Sequence, residues 1–344
     1  MGRPVLYQSQ GSEKMNHKEG FSFIIPVYNA RTDIENTLKK LYSSIERARL
    51  SSFEVIVVDD GSTDSTSEVI ASLNHPHLRI LRQENSGRLL ARRSGLEASI
   101  HESLFFLDSR VELSESAIDN LLSSREKNKK GLGVIIPKII FAKTNLVGLF
   151  WDSIAQIVWS EYYKSDCDVI LTDANFDDYP KGTTFLYAKK SLMLEAYANL
   201  TAAQLENKDT NDDTLIIRFL AKKTLILLNK SAIAMYTPRF HFFDFLRHAH
   251  HRGKVAGEGF FAPGTKGRKL FYLTGVLLVA MLSLSLLFPF TLLALFLIFA
   301  MFEVFVFKNV TIRHFLSLNI YALPFLSSYI MGVIWATSNR MWKI

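Results

Sequence analysis

The sequence predicts an α/β fold with a doubly wound, mostly parallel sheet, followed by C-terminal transmembrane helices. Two apolar segments, residues 21–27 and 53–58, each run into a polar loop, and a helical stretch at 33–50 separates them. Strand, helix and strand in this order form a βαβ unit of a parallel sheet. Long apolar stretches after residue 270 predict the membrane part.

The first predicted strand follows a polar tail, residues 1–20, which we expect to be poorly ordered. Residues 21–27 are continuously apolar, as in a strand that is buried on both faces of a sheet. A helix follows from Asp33, since apolar residues recur at helical spacing between positions 34 and 45. The same alternation predicts a helix at 65–73, a strand at 78–81, a helix that ends at residue 99 and a strand at 103–107.

The pattern is less regular after residue 131. Strands are predicted at 133–136 and 184–187, and residues 150–163 are rich in aromatic side chains. Trp151, Trp159, Tyr162 and Tyr163 lie at helical spacing, which fits ordinary packing. Aromatic faces also bind sugars, and the spacing leaves both interpretations open.

Two apolar stretches near the C-terminus predict membrane insertion. Residues 270–307 carry only Glu303 as a charge, and residues 315–337 carry none. As a single helix the first stretch would be ~57 Å long at ~1.5 Å per residue, against a ~30 Å hydrocarbon core. It is therefore predicted to form two short spans that turn near Pro289, which with the second stretch gives three spans.

The domain boundaries follow from this division. The chain of 344 residues is predicted to have a tail at 1–20, a globular domain at 21–262, and a juxtamembrane segment with transmembrane helices at 263–344. No apolar run precedes residue 21, so no secretory signal is expected and the globular domain is expected to be cytoplasmic. The single cysteine, Cys167, agrees with a reducing compartment.

The formal net charge is +7, and basic residues concentrate at 247–269, where Glu258 is the single acidic residue. A basic segment directly before a span suits an anionic membrane surface and the positive-inside rule. Nothing in the sequence matches a nucleic-acid-binding module, so nucleic acid is not expected as a partner.

The two polar loops carry the motifs Pro26-Val27-Tyr28-Asn29 and Asp59-Asp60-Gly61-Ser62-Thr63-Asp64. Because parallel sheets bind ligands at the carboxyl ends of their strands, the second loop is expected to bind a nucleotide. An ionised aspartate offers only acceptors, which match the imide N–H of uracil or the ribose hydroxyls. A simple turn with a helix cap explains the same loop, and fits Asp64 best.

At this spacing the two motifs resemble the opening of the family 2 glycosyltransferases, and the resemblance extends over residues 21–254. It implies a GT-A fold and transfer of a sugar from a nucleotide sugar with inversion. It also implies that Asp59 or Asp60 binds the nucleoside, with the backbone of Pro26 and Tyr28 beside the base.

The segment at residues 85–95 resembles the glycine-led helix of the family, with Arg93 where the family usually has Asn. Gly87 leads into the helix. Free N–H groups at a helix start, with Arg92 and Arg93 nearby, suit a pyrophosphate. A solvated basic face is the alternative interpretation of the two arginines.

Residues 107–110, Leu-Asp-Ser-Arg, stand where the family has an Asp-x-Asp motif that binds Mg²⁺ or Mn²⁺ on the donor phosphates. Asp108 matches the first carboxylate and is the expected metal ligand. Arg110 occupies the second position, where it cannot ligate a cation but could neutralise a diphosphate leaving group. A divalent cation is thus expected on Asp108, with Glu112 or a histidine as a further ligand, and Arg110 argues against it.

Residues 211–218 resemble the Glu-Asp-x-x-Leu-x-x-Arg segment of the family, with Asp212 on its Asp. An inverting displacement needs a base that removes the proton of the acceptor hydroxyl. Asp212 is the expected base, and Asp213 is the neighbour that could replace it. Capping of a helix at 214–221 is the alternative role for both.

Residues 239–254 contain four histidines and several arginines just before the predicted membrane part. By resemblance to related transferases, Arg252 in this segment would contact the donor phosphates. A membrane-surface helix with Phe242, Phe243 and Phe245 towards the lipid explains the same residues, and the two roles are compatible.

The sequence therefore predicts a multi-pass membrane glycosyltransferase that takes sugar from a nucleotide sugar, preferably a UDP-sugar, to a hydroxyl of a lipid-linked or polysaccharide acceptor. A polyprenyl-phosphate glycosyltransferase is an alternative, although Asp212 favours a hydroxyl acceptor. A non-catalytic membrane subunit that binds sugar nucleotides is a third hypothesis, motivated by Arg110.

Overall fold

The computed structural model of this chain describes residues 19–128, 131–206, 212–239, 241–256 and 312–338. The chain divides into two compact units. The described parts of Met1–Phe141 and Glu161–Thr237 form the first, which we name the sheet unit. The described parts of Ala142–Ser160 and Pro238–Ile344 form the second, which we name the helical unit.

Strands and helices alternate along the sheet unit. The strands are β1 (Phe21–Val27), β2 (Phe53–Asp60), β3 (Leu78–Gln83), β4 (Ser103–Leu107), β5 (Val111–Leu113), β6 (Leu132–Phe141), β7 (Val169–Leu171), β8 (Phe185–Lys189) and β9 (Leu225–Tyr236). The helices of the whole chain are α1 (Ile34–Arg47), α2 (Thr66–Ser72), α3 (Arg88–Ala98), α4 (Ala117–Lys127), α5 (Leu146–Val158), α6 (Ser160–Lys164), α7 (Lys190–Ala198), α8 (Ala202–Glu206), α9 (Asp212–Lys223), α10 (Phe242–Val255) and α11 (Ile312–Ser338), with a 3₁₀ helix at Asp173–Asp178.

One sheet joins all the described strands in the order β3-β2-β1-β4-β8-β6-β9-β5, with β7 also paired to β9. The first four are parallel neighbours. Beyond β4 the sheet is mixed, because β8 is antiparallel to β4 and β6 whereas β6 and β9 are parallel. The expectation of an α/β fold with a mostly parallel sheet is confirmed for the N-terminal half.

The central strands are buried on both faces, as their continuous apolar sequences predict. Every residue of β1 and of β4 is buried. Phe23 and Phe105 from these strands stack with ring centroids 4.8 Å apart. Helix α1 covers one face with the buried residues Ile34, Leu38, Leu41 and Ile45. This packing fixes the position of the strand ends, where the polar loops begin.

Helix α1 is shorter than predicted. It ends at Arg47, before the predicted end at residue 50. Arg49 adopts a left-handed backbone with φ 53°, which cannot continue a right-handed helix. Leu50 is buried but lies outside the helix, so the predicted end at residue 50 is wrong.

The helical unit is a bundle of α5, α10 and α11 around an aromatic cluster. Phe245 of α10 lies between Phe150 of α5 and Tyr321 of α11, with ring centroids 5.4 and 4.9 Å away. Phe325 of α11 meets Trp151 of α5 edge-on at 5.4 Å. These rings form the core of the unit, which supports the packing interpretation of Trp151.

Helices α10 and α11 cross at two glycines. A Cβ on Gly253 would lie 2.1 Å from the carbonyl oxygen of Tyr329, and one on Gly332 would lie 2.0 Å from that of His250. No side chain fits at such distances, so the crossing requires glycine at both positions.

Within the described residues, Arg313–Ala336 of α11 is the one helix long and apolar enough to cross a membrane. It overlaps the span expected at 315–337, which stays a prediction. Only 22% of its most apolar window is buried, whereas the core helix of a soluble protein would be mostly covered. The two spans expected at 270–307 and the domain boundary at 262–263 lie outside the described residues.

Candidate active site

The candidate site lies at the carboxyl ends of three adjacent parallel strands, β2, β1 and β4. The order β3-β2-β1-β4 reverses direction along the chain at β1, which makes this the topological switch point where open α/β sheets bind ligands. Asp59 and Asp60 end β2, Pro26 lies near the end of β1, and Asp108 follows β4. The fold thus places the predicted residues of three separate motifs at one edge of the sheet.

The loops after β1 and β2 are held together by hydrogen bonds. The Asn29 side chain accepts from the Thr63 backbone N–H at 2.8 Å, and the Asn29 N–H donates to Ser62 Oγ at 3.0 Å. Asn29 has φ 49°, a left-handed conformation that asparagine tolerates better than most residues. These hydrogen bonds between the two loops give a structural reason for both motifs to occur in one chain, in addition to any role in ligand binding. Tyr28, between them, is 44% exposed.

Asp59 is a buried carboxylate with neutral hydrogen-bond donors. It accepts from the Ser62 backbone N–H at 2.9 Å and from the Ser67 hydroxyl. Burial acts to raise the pKa of Asp59, but the bonds from Ser62 and Ser67 and the charge of Arg82, 3.9 Å away, outweigh it and hold the pKa below its ordinary value. Asp59 is therefore an anion at neutral pH.

A cavity of about 240 Å³ opens beside Asp59. It is lined by Asp59, Gly61, Ser62, Asp64, Ser67, Glu68, Arg82 and Gln83. Small-molecule sites usually measure about 300–1,000 Å³, so this cavity is large enough for part of a nucleotide only.

Asp60 organises the start of α3. Its Oδ1 accepts from Gln83 Nε2 at 2.7 Å and from the Ser86 N–H at 2.8 Å, and its Oδ2 accepts from the Gly87 N–H at 2.8 Å. Gly87 has φ 91° and ψ 160°, a region that is essentially restricted to glycine. Asp60 thus accepts from the two backbone N–H groups that directly precede α3.

Arg92 faces the end of β4 from α3. Its guanidinium is 1% exposed and donates to Asp108 Oδ1 at 2.5 Å and to the Thr183 carbonyl at 3.3 Å. The alternative of a solvated basic face is excluded for Arg92 by this burial. The expected phosphate contact stays a prediction, and in this structure the anion beside Arg92 is Asp108.

Asp108 and Arg110 lie in a tight turn between β4 and β5. The Val111 N–H donates to the Asp108 carbonyl at 3.2 Å, and the Asp108 N–H donates to the Thr184 carbonyl at 2.9 Å. The Arg110 carbonyl accepts from the Thr237 N–H at 3.1 Å, and its guanidinium lies over the Tyr236 ring with Cζ 5.4 Å from the centroid. Half-buried Arg110 forms no ion pair with a carboxylate of the described residues.

The residues at this turn fit a divalent cation poorly. Asp108 already neutralises a buried guanidinium, and breaking a buried ion pair by removing one partner costs about 3–5 kcal/mol. Arg110 supplies a second positive charge where the motif of the family supplies a second carboxylate. The part of the chain that the structure describes contains no group of three or more His, Cys, Asp or Glu side chains that could hold a metal. The expectation of a metal on Asp108 finds no supporting ligand set.

Asp212 and Asp213 are the first two residues of α9, and their side chains lie outside the described part. Arg218 fastens this helix to the 3₁₀ helix. Its guanidinium pairs with Asp177 at 2.9 Å and lies over the Phe176 ring at 4.2 Å. Lys181 Nζ lies 4.2 Å from the same ring centroid, and burial lowers its pKa to about 8. The contacts of Arg218 therefore hold α9 in place at a position six residues after its first residue, Asp212.

Arg252 belongs to the helical unit, where its guanidinium lies 4.8 Å from the Trp151 ring centroid. Its expected contact with donor phosphates stays a prediction. Three partners of the site residues were not predicted from the sequence: Ser67, Gln83 and Tyr236. Gln83 could have been found, because parallel pairing of β2 with β3 places it opposite Asp60.

The comparisons with known proteins agree with the motifs. Residues 22–189 match the family model "Glycosyl transferase family 2". The uncharacterized glycosyltransferase YibD of Escherichia coli is 32% identical over 111 residues, which cover 32% of this chain and 31% of that protein. The poly-beta-1,6-N-acetyl-D-glucosamine synthase of Staphylococcus epidermidis is 29% identical over 119 residues, 34% of this chain and 28% of that protein.

The chain thus spans less than a third of the length of these relatives. Among solved structures, S. aureus TarS 1-349 in complex with UDP-GlcNAc aligns with a TM-score of 0.48 and 18% identity over 69% of this chain and 67% of that chain. The match over residues 22–189 supports the predicted resemblance to the family, while inversion and membrane anchoring stay predictions. Residues 22–189, just under half of the chain, are similar to the family 2 glycosyltransferases.

Proposed function

We propose that this chain transfers a sugar from a nucleotide sugar, with a UDP-sugar as donor, to a hydroxyl of a lipid-linked or polysaccharide acceptor at a membrane, with inversion. The observation that carries the proposal is the meeting of Asp59, Asp60, Asp108 and Arg110 at the switch point of the sheet. Acceptors at the end of β2 and cations at the end of β4 suit the two halves of a nucleotide sugar.

We assign the nucleoside to the end of β2. The cavity beside Asp59 has the size for a base or a ribose, and carboxylate oxygens accept from the uracil imide or the ribose hydroxyls. The exposed ring of Tyr28 and the backbone of Pro26 would form the adjacent wall. Asp60 acts through the loop that it holds, since its oxygens already accept three hydrogen bonds.

We assign the base of the displacement to Asp212. The acceptor oxygen attacks the anomeric carbon, the bond from that carbon to the diphosphate oxygen breaks, and the hydroxyl proton passes to the carboxylate. The first turn of α9 favours the ionised form of an aspartate through the helix dipole. The contacts of Arg218 with Asp177 and Phe176 would keep that first turn in place.

A membrane location and a glycan acceptor complete the proposal. The S. epidermidis relative is named as a synthase of a poly-N-acetylglucosamine, which supports a polysaccharide acceptor. The apolar helix Arg313–Ala336 supports an anchor, and the apolar sequence at 270–307 supports further spans. We propose a multi-pass protein whose glycosyltransferase domain is cytoplasmic.

The first experiment asks whether the full chain binds and uses a nucleotide sugar. Native mass spectrometry in detergent with a panel of nucleotide sugars should give one preferred adduct, and radiolabelled sugar should pass to a membrane-extracted acceptor. Binding without donor hydrolysis or transfer would favour the non-catalytic subunit instead.

The second experiment tests the base with a matched pair of variants. Asp212→Asn should lower turnover by about 10²- to 10⁴-fold and leave donor affinity unchanged, because a positioned proton acceptor contributes that much. Asp213→Asn should cost far less. If only Asp213→Asn abolished transfer, the base would be Asp213 and not Asp212. If neither variant lost activity, a phosphate acceptor, which needs no strong base, would be favoured.

A further inference from the structure

We propose that Arg110 takes the place of a divalent cation, so that its guanidinium binds the donor diphosphate and the leaving nucleotide. This inference rests on the proposed function, because it concerns the diphosphate of the same donor. It predicts that the chain binds and uses its donor without any divalent metal.

The first step is the loss of the metal ligands. A cation at this edge needs oxygen ligands, and the turn after β4 offers one carboxylate, Asp108. That carboxylate is 2.5 Å from the buried guanidinium of Arg92, which has no solvent to replace it. Arg92 and Asp108 therefore form a neutral pair that shapes the turn and leaves no net negative charge for a metal.

The second step is the state of Arg110. It stands two residues after Asp108 at the ligand-binding edge, and no carboxylate of the described residues is within ion-pair distance of it. The guanidinium of Arg110 packs on the ring of Tyr236, the last residue of β9. The backbone of Arg110 is held by the hydrogen bond from the Thr237 N–H to its carbonyl oxygen. A side chain that is placed but has no anion partner is ready to accept one from a ligand.

The third step is chemical equivalence. A guanidinium keeps its charge at every physiological pH and presents paired N–H groups that match two phosphate oxygens. When the bond between the anomeric carbon and the diphosphate oxygen breaks, the electron pair stays on that oxygen and the diphosphate gains one negative charge. Arg110 stays protonated throughout and balances this charge by hydrogen bonding.

The test measures the affinity of the full chain in detergent for uridine, UMP and UDP by calorimetry, in excess EDTA and in excess MnCl₂. The wild-type Kd for UDP should agree within about twofold between the two buffers. Arg110→Ala should weaken UDP binding by about 10- to 100-fold, the range for hydrogen bonds to a charged group, and leave uridine binding unchanged. Arg110→Lys should recover part of the loss.

A matched control removes an arginine of the same unit away from the site. Arg47→Ala, whose side chain is exposed and 3.9 Å from Glu115, should bind UDP as the wild type does. UDP binding that requires MnCl₂, or an equal loss for uridine and UDP in Arg110→Ala, would overturn the inference while leaving the proposed function intact. Absence of UDP binding in both buffers would overturn the UDP-sugar proposal and the inference with it. Donor hydrolysis that persists in EDTA would support both.

Discussion

The ends of β2 and β4, which lie on either side of β1 at the sheet edge, both carry aspartates, yet their electrostatics are opposite. Asp59 and Asp60 at β2 are held mainly by hydroxyl, amide and backbone N–H donors, so this end keeps negative charge. The negative charge of Asp108 at β4 is neutralised by Arg92, and Arg110 adds a positive charge. The partners of these aspartates, and not the aspartates alone, therefore give the two strand ends their opposite electrostatics.

The largest effect should come from breaking the β4 end. Asp108→Ala leaves Arg92 buried without its carboxylate, so the free energy of unfolding should fall by about 3–5 kcal/mol. Urea unfolding of the full chain, followed by near-UV circular dichroism, measures this.

Two further variants separate the ion pair from the loss of a side chain. The double variant Arg92→Met with Asp108→Ala should be more stable than Asp108→Ala alone, because no charge stays buried. Asp177→Ala removes a partner of the more exposed Arg218 and should cost less than about 1 kcal/mol. If the double variant lost as much unfolding free energy as the single variants Asp108→Ala and Arg92→Met together, this account of the β4 end would be wrong.

Breaking the β2 end should cost less, because its donors are neutral. Asp60→Asn replaces a carboxylate that accepts three bonds with an amide that has one acceptor oxygen, so at least one backbone N–H of Ser86 or Gly87 loses its partner. We expect a loss of about 2–3 kcal/mol in unfolding free energy and weaker UDP binding. Asp33→Asn serves as the control. Asp33 is the half-buried N-cap residue of α1 and makes no side-chain cap hydrogen bond, so this change should cost less than about 1 kcal/mol and leave UDP binding unchanged.

A smaller effect should follow from straining the loop that Asp60 holds. Gly87→Ala places a Cβ on a backbone with φ 91°, at a cost of about 1–2 kcal/mol. The adjacent Ser86→Ala keeps the backbone N–H that Asp60 uses and should be close to neutral. Equal melting temperatures for the two variants would show that the loop is free to move away from Asp60.

The smallest effect is the pH dependence of Asp59. Its folded pKa is depressed, so its contribution to stability is present above its ordinary pKa and is lost as the pH falls towards the folded value. The stability advantage of the wild type over Asp59→Asn should therefore shrink on acidification below about pH 4. A constant difference across this range would mean that hydrogen-bond geometry alone accounts for Asp59.

Much of the sheet could be predicted from the sequence, because a buried parallel strand is a continuous apolar run. The predicted strand at 103–107 matches β4 at both ends. Strands β5 and β7 have three residues each and exist through pairing with β9, far along the chain, so no local pattern reveals them. The Arg92–Asp108 pair was equally hidden. The packing of α3 on the sheet brings Arg92 and Asp108 together across 16 positions, which no local pattern reveals.

The aromatic cluster of the helical unit has a practical consequence for handling this protein. A chain shortened at residue 256 would keep α5 and α10 but lose Tyr321 and Phe325, which cover Phe150, Trp151 and Phe245. Several rings would then face water side by side, and exposed apolar patches of this kind promote aggregation. Such a fragment should therefore be found in the insoluble fraction after expression. Replacing Phe150 and Phe245 with polar residues should bring it into the soluble fraction.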